Sequence, residues 1–319
     1  MKKIVILDGK TLGEVDYKRL KEFGEIEYYG ITKDEEVRER VKNANIIITN
    51  KVALTKESLS EAKELEIICE AATGFNNIDI NYAKENNIAV TNVAGYSTSS
   101  VAQHTFATAL SLIEKLSFYD NFVKSGQYAV SGQFTSLEKS FFEIEGKTWG
   151  IIGLGNIGKK VAKIAEAFGA KIVYYSTSGR NSDSHFERVD FEELLKVSDI
   201  ISIHSPLNEK TLGLIDYEAL SKMKKESILV NMGRGPIVVE KDLAKAIDEE
   251  LIGGAALDVF EVEPISRDSV LTKVKNKERL VLTPHIGWAS VESRERLFDV
   301  VIENIKSFYR GEIRNRVEI

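Results

Sequence analysis

The sequence predicts an α/β protein made of two doubly wound parallel-sheet domains. Three observations lead there. Short apolar runs alternate with charged, helix-like segments along almost the whole chain, the pattern of βα units on parallel sheets. One of these units carries the glycine series Gly153-x-Gly155-x-x-Gly158 between a strand signal and a helix signal. The length, 319 residues with 43% apolar and 29% charged, suits about two ordinary globular domains.

Composition narrows the function classes. The net charge is −6 and no block of like charge stands out, which argues against nucleic acid or an anionic membrane as a partner. The single cysteine, Cys69, rules out an intrachain disulfide; it lies in the apolar run Leu65 to Cys69 and reads as a buried, inert thiol. Spacings such as HExxH or paired CxxC are absent, so no metal is expected. After Met1-Lys2-Lys3 only four apolar residues follow, Ile4 to Leu7, too few for a signal peptide. No run approaches a membrane span, and the cytoplasm is the expected location.

Residues 1 to about 98 hold strand signals at Ile4–Leu7, Ile26–Tyr29, Ile46–Thr49, Ile67–Cys69 and Ala89–Thr91. Helix-like segments, Lys33–Lys42, Lys56–Glu64 and Ile80–Asn86, lie between them. No glycine-rich phosphate loop occurs here, so this domain is expected to present something other than a nucleotide. Two of its loops follow strand signals, where ligands of open α/β sheets bind: Thr49-Asn50-Lys51 and Ala72-Thr73-Gly74-Phe75-Asn76-Asn77. Gly74 can expose neighbouring N–H groups to a small anion. The other reading is a plain turn, with Asn77 or Asp79 capping the next helix.

Ser97 to about Leu116 reads as a helix lined by Val101, Ala102, Phe106, Ala109, Leu110 and Ile113, entering the second domain. Residues 117–146 are rich in aromatics, among them Phe118, Tyr119, Phe122, Tyr128, Phe134, Phe141 and Phe142, with weak periodicity. Such a segment needs cover, and a subunit interface would supply it.

From Thr148 the alternation resumes, with strand signals at Trp149–Ile152, Ile172–Tyr175, Ile200–Ile203, Ile228–Asn231, Ala255–Leu257 and Leu280–Leu282. Six strands with the glycine turn after the first follow the plan of a Rossmann dinucleotide-binding domain. Gly153 permits the tight turn, Gly155 lets a pyrophosphate approach the backbone, and Gly158 lets the helix pack close to its strand. The pyrophosphate would rest on the N–H groups of Asn156, Ile157 and Gly158 at the positive end of a helix through Lys159–Phe168. The final helix signal, Val291–Tyr309, is long enough to return to the first domain. The expected division is therefore 1–98 plus 291–319 for a discontinuous substrate domain and 99–290 for the nucleotide domain.

Three residues of the second half follow strand signals and carry chemistry: Arg234 in Asn231-Met232-Gly233-Arg234-Gly235, Glu263 before Pro264, and His285 in Thr283-Pro284-His285-Ile286-Gly287. Arginine offers a planar fork for a carboxylate. Histidine exchanges a proton near neutral pH, and a glutamate beside it would orient the ring. Each alone has a plain reading, as a surface arginine, a solvated glutamate or a backbone-bonded histidine. Their joint placement at strand ends favours a catalytic set.

With these residues in view, the chain resembles the D-isomer-specific 2-hydroxyacid dehydrogenases. The matching stretches are Glu145 to Gly158, His204-Ser205-Pro206-Leu207, Asn231 to Gly235, Ala256 to Phe260 with Glu263-Pro264, and Thr283 to Gly287, in family order and spacing. The resemblance implies a flavodoxin-like substrate domain split between the chain ends, and a homodimer formed through the region after residue 98. It implies that Arg234 binds the substrate carboxylate and carbonyl, that His285 is the acid/base with Glu263 as its partner, and that Asp258 meets the nicotinamide carboxamide. His204, Ser205, Pro206, Thr211, Met232, Gly233 and Gly287 would join the cofactor site, and Asn50, Lys51, Thr73, Gly74 and Trp288 the substrate site. The activity implied is reversible hydride transfer between NAD(P) and a small 2-oxoacid such as hydroxypyruvate or glyoxylate. A NAD-sensing binding protein on the same fold is the alternative.

One position departs from the family. An acidic residue usually ends the second strand of the nucleotide domain and binds the adenosine ribose. Here that end reads Tyr174-Tyr175-Ser176-Thr177-Ser178-Gly179-Arg180. Ser176 and Thr177 can donate to a phosphate and Arg180 can add positive charge, so NADPH is expected to serve at least as well as NADH. The competing reading is a polar turn with Arg180 in solvent.

Overall fold

The computed structural model describes all 319 residues, and the chain divides into two compact units, Met1–Ser97 with Ala289–Ile319, and Thr98–Trp288. In the first unit β1 (Lys3–Ile6), β2 (Glu25–Tyr28), α1 (Asp34–Val41), β3 (Ile46–Thr49), α2 (Lys56–Leu59), β4 (Ile67–Glu70), α3 (Ile80–Glu85) and β5 (Ala89–Thr91) follow in order. The strands form one parallel sheet in the order β2-β1-β3-β4-β5. Strands β3, β4 and β5 are buried along their whole length, which is why they read as apolar runs, polar only at their last residues Thr49, Glu70 and Thr91, rather than as alternation. The order reverses between β1 and β3, so the carboxyl ends of these two strands form a switch point. Asp79 caps α3 by accepting from the Tyr82 amide.

The second unit begins with α4 (Thr98–Ile113), α5 (Leu116–Lys124) and α6 (Gln127–Val130). Its sheet then alternates with helices: β6 (Thr148–Ile152), α7 (Asn156–Ala167), β7 (Lys171–Tyr175), β8 (Glu187–Arg188), α8 (Phe191–Val197), β9 (Ile200–Ile203), α9 (Tyr217–Lys222), β10 (Ile228–Asn231), α10 (Glu240–Asp248), β11 (Gly254–Leu257) and β12 (Leu280–Leu282). The strands are all parallel, in the order β12-β11-β10-β9-β6-β7-β8. The switch point falls between β6 and β9. The sheet holds seven strands where the sequence predicts six; the extra one, β8, is a two-residue edge strand of exposed charged residues. Cores lie on both faces: Ile152, Ile201 and Leu229 with α8 to α10 on one, Trp149, Ile151 and Val230 with α4 and α7 on the other. The chain ends in α11 (Val291–Tyr309), which belongs to the first unit and buries Leu297, Val301 and Ile305, an i, i+4 stripe, packing at β4.

Thr98–Trp288 also carries the aromatic segment. Phe122 is buried against Phe118 and Tyr128, so its first part packs on itself. Val130, Phe134, Leu137 and Phe141 are exposed. No helix is long and apolar enough to cross a membrane. Cys69 is fully buried, and burial pushes its thiol up to about 12.

Candidate active site

The glycine turn has a steric reason at each glycine. Gly153 sits at φ +94, where an L side chain is strained, and a Cβ there would come within 2.8 Å of the Ser205 amide. A Cβ on Gly158 would lie 2.3 Å from the Gly153 carbonyl oxygen, so the first turn of α7 closes directly onto the end of β6. Gly155 caps α7, and a Cβ on it would meet nothing within 4 Å. Open space therefore faces the backbone where the first-turn amides of Asn156, Ile157 and Gly158 have no helical carbonyl to bond.

Six buried side-chain polar atoms in the whole chain have no hydrogen-bond partner, and three of them cluster by this turn. They are Ser176 Oγ after β7, and His204 Nδ1 and Ser205 Oγ after β9. Native interiors seldom leave such groups unpaired. Burial pushes His204 down to about 3, so its ring is neutral; its Nε2 lies 3.0 Å from Ser202 Oγ, which also accepts from Trp149 Nε1 at 2.9 Å. Open space at Gly155, free helix amides and unpaired hydroxyls at strand ends make a set that fits a dinucleotide.

Beyond β7, the Gly179 amide donates to Ser176 O at 3.1 Å with Gly179 at φ +73, closing a tight turn over Thr177 and Ser178. Arg180 is exposed. A second arginine, Arg188 on β8, donates from Nη1 to Gly179 O at 3.2 Å. The sequence reading did not include it. Thr211 is committed to its own loop: its hydroxyl donates to Pro206 O at 2.8 Å and accepts from the Asn208 amide at 2.8 Å.

Arg234 follows β10 in a loop held by Asn231, whose side chain accepts from the Gly233 amide at 3.0 Å and donates to Arg234 O at 3.0 Å. A Cβ on Gly233 would lie 2.9 Å from Ser205 O, so this loop and the one after β9 are packed together. Met232 is buried beneath it. The Arg234 guanidinium is in the open; Nη1 donates to Gly233 O at 2.8 Å and no carboxylate pairs with it.

His285 and Glu263 meet. His285 Nδ1 lies 2.7 Å from Glu263 Oε2, while Glu263 Oε1 accepts from the Phe260 amide at 3.0 Å. His285 has φ +54, an uncommon backbone for a histidine, and the surrounding loop fixes it there. Asp258 does the fixing. One of its oxygens accepts from Thr283 Oγ1 at 2.6 Å and the Ile286 amide at 2.9 Å, the other from the Gly287 amide at 2.7 Å. Burial alone would raise this carboxyl, but His104, Thr283 and the two amides outweigh it and hold it below the usual range. His104, on α4, lies 2.9 Å from Thr283 Oγ1, a further member that sequence reading missed. Gly287 has no room for a side chain, because a Cβ would stand 2.9 Å from Asp258. Trp288 is half-buried against the core beside α4.

In the first unit, Asp8 after β1 accepts from the Asn50 amide at 3.0 Å and the Lys51 amide at 2.7 Å. Asn77 donates to Val52 O at 3.0 Å and to Glu70 Oε2 at 3.1 Å. The loops after β3 and β4 are thereby joined. Thr73 is tied to β5's continuation by its hydroxyl on Val93 O at 2.9 Å. Gly74 follows at the half-exposed crest. Lys51 is exposed and pairs with no carboxylate.

Comparison with known proteins fits this geometry. Residues 106–287 match the family model for the D-isomer specific 2-hydroxyacid dehydrogenase, NAD binding domain. The chain is 36% identical over 316 residues to a hydroxypyruvate reductase of Blautia hydrogenotrophica, covering 97% of each. It is 40% identical over 315 residues to a glyoxylate reductase of Thermococcus litoralis, covering 95% of this chain and 93% of that one. Among solved structures, the acyclic imino acid reductase Bsp5 in complex with NADPH and D-Arg superposes with a TM-score of 0.85 at 31% identity, covering 99% of each chain.

Proposed function

The chain belongs to the D-isomer specific 2-hydroxyacid dehydrogenases, nicotinamide-dependent oxidoreductases, and from that premise we propose that it reversibly reduces a small 2-oxoacid, hydroxypyruvate or glyoxylate, with His285 as the proton donor. The observation that carries this reading is the His285–Glu263 pair at 2.7 Å. Glu263 takes Nδ1, so Nε2 is the atom that gains and gives up the proton. Arg234 binds the 2-oxoacid through the open edge of its guanidinium and steadies negative charge that develops on the carbonyl oxygen. Asn50, Lys51, Thr73 and Gly74 receive the substrate carboxylate, and Trp288 adds an apolar contact.

Gly153 and Gly155 with the amides of Asn156, Ile157 and Gly158 hold the pyrophosphate. His204, Ser205, Pro206, Met232 and Gly233 line the strand ends beside it, Thr211 shaping the loop, while Asp258 and Gly287 stand at the nicotinamide end. Bound there, the nicotinamide supplies the hydride. Ser176, Thr177 and Arg180 face the adenosine ribose and accept a 2′-phosphate, so NADPH serves at least as well as NADH. The protein acts as a cytoplasmic homodimer whose interface includes Phe118 to Phe142; exposed Phe134 and Leu137 support this.

Steady-state assays of glyoxylate, hydroxypyruvate, pyruvate and larger 2-oxoacids with NADH and NADPH test the proposal. Turnover of one of the first two is expected. A chain that binds NADH or NADPH but turns over no 2-oxoacid is instead a nucleotide-sensing binding protein.

A further inference from the structure

Glu70 is the last residue of β4, in register with Thr49 of β3. It therefore stands at the carboxyl edge of the first unit's sheet, under the two loops assigned to the substrate carboxylate. It is 1% exposed. Its Oε2 accepts from Asn77 Nδ2 at 3.1 Å, and that same amide group donates to Val52 O at 3.0 Å. Its Oε1 is buried with no hydrogen-bond partner. Asp8, the neighbouring acid, is different: backbone amides of Asn50 and Lys51 satisfy it. An ionised carboxylate this buried, with one amide donor, is costly; the neutral acid leaves only an O–H unpaired, which costs less than a buried charge.

We infer that Glu70 is a positioning residue whose neutral, protonated state keeps Lys51 available to the substrate carboxylate, an inference that rests on the reading of the Lys51 and Thr73–Gly74 loops given above. As a neutral acid, Glu70 anchors Asn77, and Asn77 ties the two loops together. Lys51 then carries its charge with no carboxylate paired to it. As an anion, Glu70 would draw Lys51 toward itself and place a second negative charge beside Asp8, where an anionic substrate must arrive. The charged groups acting on Glu70 are Lys51, which favours its ionisation, and Asp8, which opposes it; the adjacent Cys69 thiol is buried and neutral. Burial outweighs the help from Asn77 and Lys51 and pushes Glu70 up to about 9. The site is thus set for anions at neutral pH and disarmed in alkali.

Glu70→Gln separates this role from packing. The glutamine keeps a carbonyl for Asn77 and puts an NH₂ where the acid has its O–H, but it cannot ionise. In the wild type, KM for the preferred 2-oxoacid should rise about tenfold one pH unit above the Glu70 transition, because only the protonated fraction binds. In Glu70→Gln the KM should match the wild type at pH about 7 and lack that rise. Loss of protonated His285 or of the Lys51 charge affects both proteins alike, so the difference between the profiles reports Glu70. A second measurement needs no variant. Oxalate binding to the NADH-loaded wild type, followed by calorimetry, should weaken over the same pH range. Superimposable KM profiles for wild type and variant, or oxalate affinity that stays flat through that range, would overturn the inference. Absence of 2-oxoacid turnover at neutral pH would instead remove the functional reading beneath it.

Discussion

Arg234→Lys tests the assignment of substrate recognition most directly. In the wild type the loop around Arg234 is preset by Asn231, and Nη1 is tethered to Gly233 O at 2.8 Å. That tether leaves Nη2 and Nε for a ligand while the plane of the fork stays fixed. A lysine has one nitrogen, so it cannot hold Gly233 O and make two parallel contacts to a substrate. The charge survives, and the loss is one or more charge-assisted hydrogen bonds at about 1.5–3 kcal/mol each. One such bond corresponds to a fall of roughly 10- to 200-fold in kcat/KM. Cofactor affinity, read by NADH or NADPH fluorescence, should change little because the glycine turn is untouched. Steady-state kinetics with the preferred 2-oxoacid give the answer. A kcat/KM within about threefold of the wild type would refute the role given to the guanidinium.

Other outcomes are expected from the same geometry. In Glu263→Gln, His285 keeps a hydrogen-bond acceptor but loses the adjacent negative charge, so reductive activity should be lost at lower pH than in the wild type; overlapping pH profiles would contradict the pairing. Ser176→Asp should turn preference toward NADH, mainly through a higher KM for NADPH; a wild type that ignores NADPH speaks against the premise. Asp258 is held below its ordinary 3.8, so its contribution to stability is present above that value and is lost as pH falls through the lower, folded value. Asp258→Asn should therefore be less stable than wild type at neutral pH, with the gap narrowing in acid, as denaturant titrations at several pH values will register. Light scattering at micromolar concentration should give a dimer, and Phe134→Asp should weaken it; a monomeric wild type contradicts the proposed interface.

The fold was legible where burial is complete. Ile46-Ile47-Ile48 is a continuous apolar run, and Ile200 to Ile203 one interrupted only by buried Ser202, because parallel strands are covered on both faces. β8 was not legible, since Glu187 and Arg188 are exposed and join the sheet edge through their backbone. Arg188 was missed with it. The helix signal from Lys56 to Glu64 yields a helix only to Leu59, after which the chain breaks into turns through Glu64. α7 starts at Asn156, earlier than the predicted Lys159, because Gly158 lies inside its first turn rather than before it. At the site, motif spacing led to Arg234, Glu263 and His285 because each follows its strand closely. His104 and Glu70 stand in no motif. His104 matters through a contact with Thr283, far along the chain, and Glu70 through its burial and an unbonded Oε1, neither of which periodicity encodes.

The site residues divide by what they leave unbonded. Asp258, Asn231, Asp8 and Asn77 have side chains taken up by loop amides, carbonyls and neighbouring side chains. Such residues shape loops. Arg234 and Lys51 pair with no carboxylate, His285 keeps Nε2 clear of the chain, and the first turn of α7 keeps its amides. These are the groups with capacity left for a ligand. A change in the first class should act indirectly, by letting the second class wander, and so should lower kcat and raise KM together while lowering stability. A change in the second class should cost activity with the fold largely intact, because their side chains make few internal bonds, Arg234 to Gly233 O and His285 to Glu263. Asp258 straddles the two: three donors fasten the His285 loop to it, yet its resemblance-based role lies with the nicotinamide. If fastening is its main work, Asp258→Asn must lose stability and activity in step. A stable Asp258→Asn variant with weakened cofactor binding alone would place it in the second class.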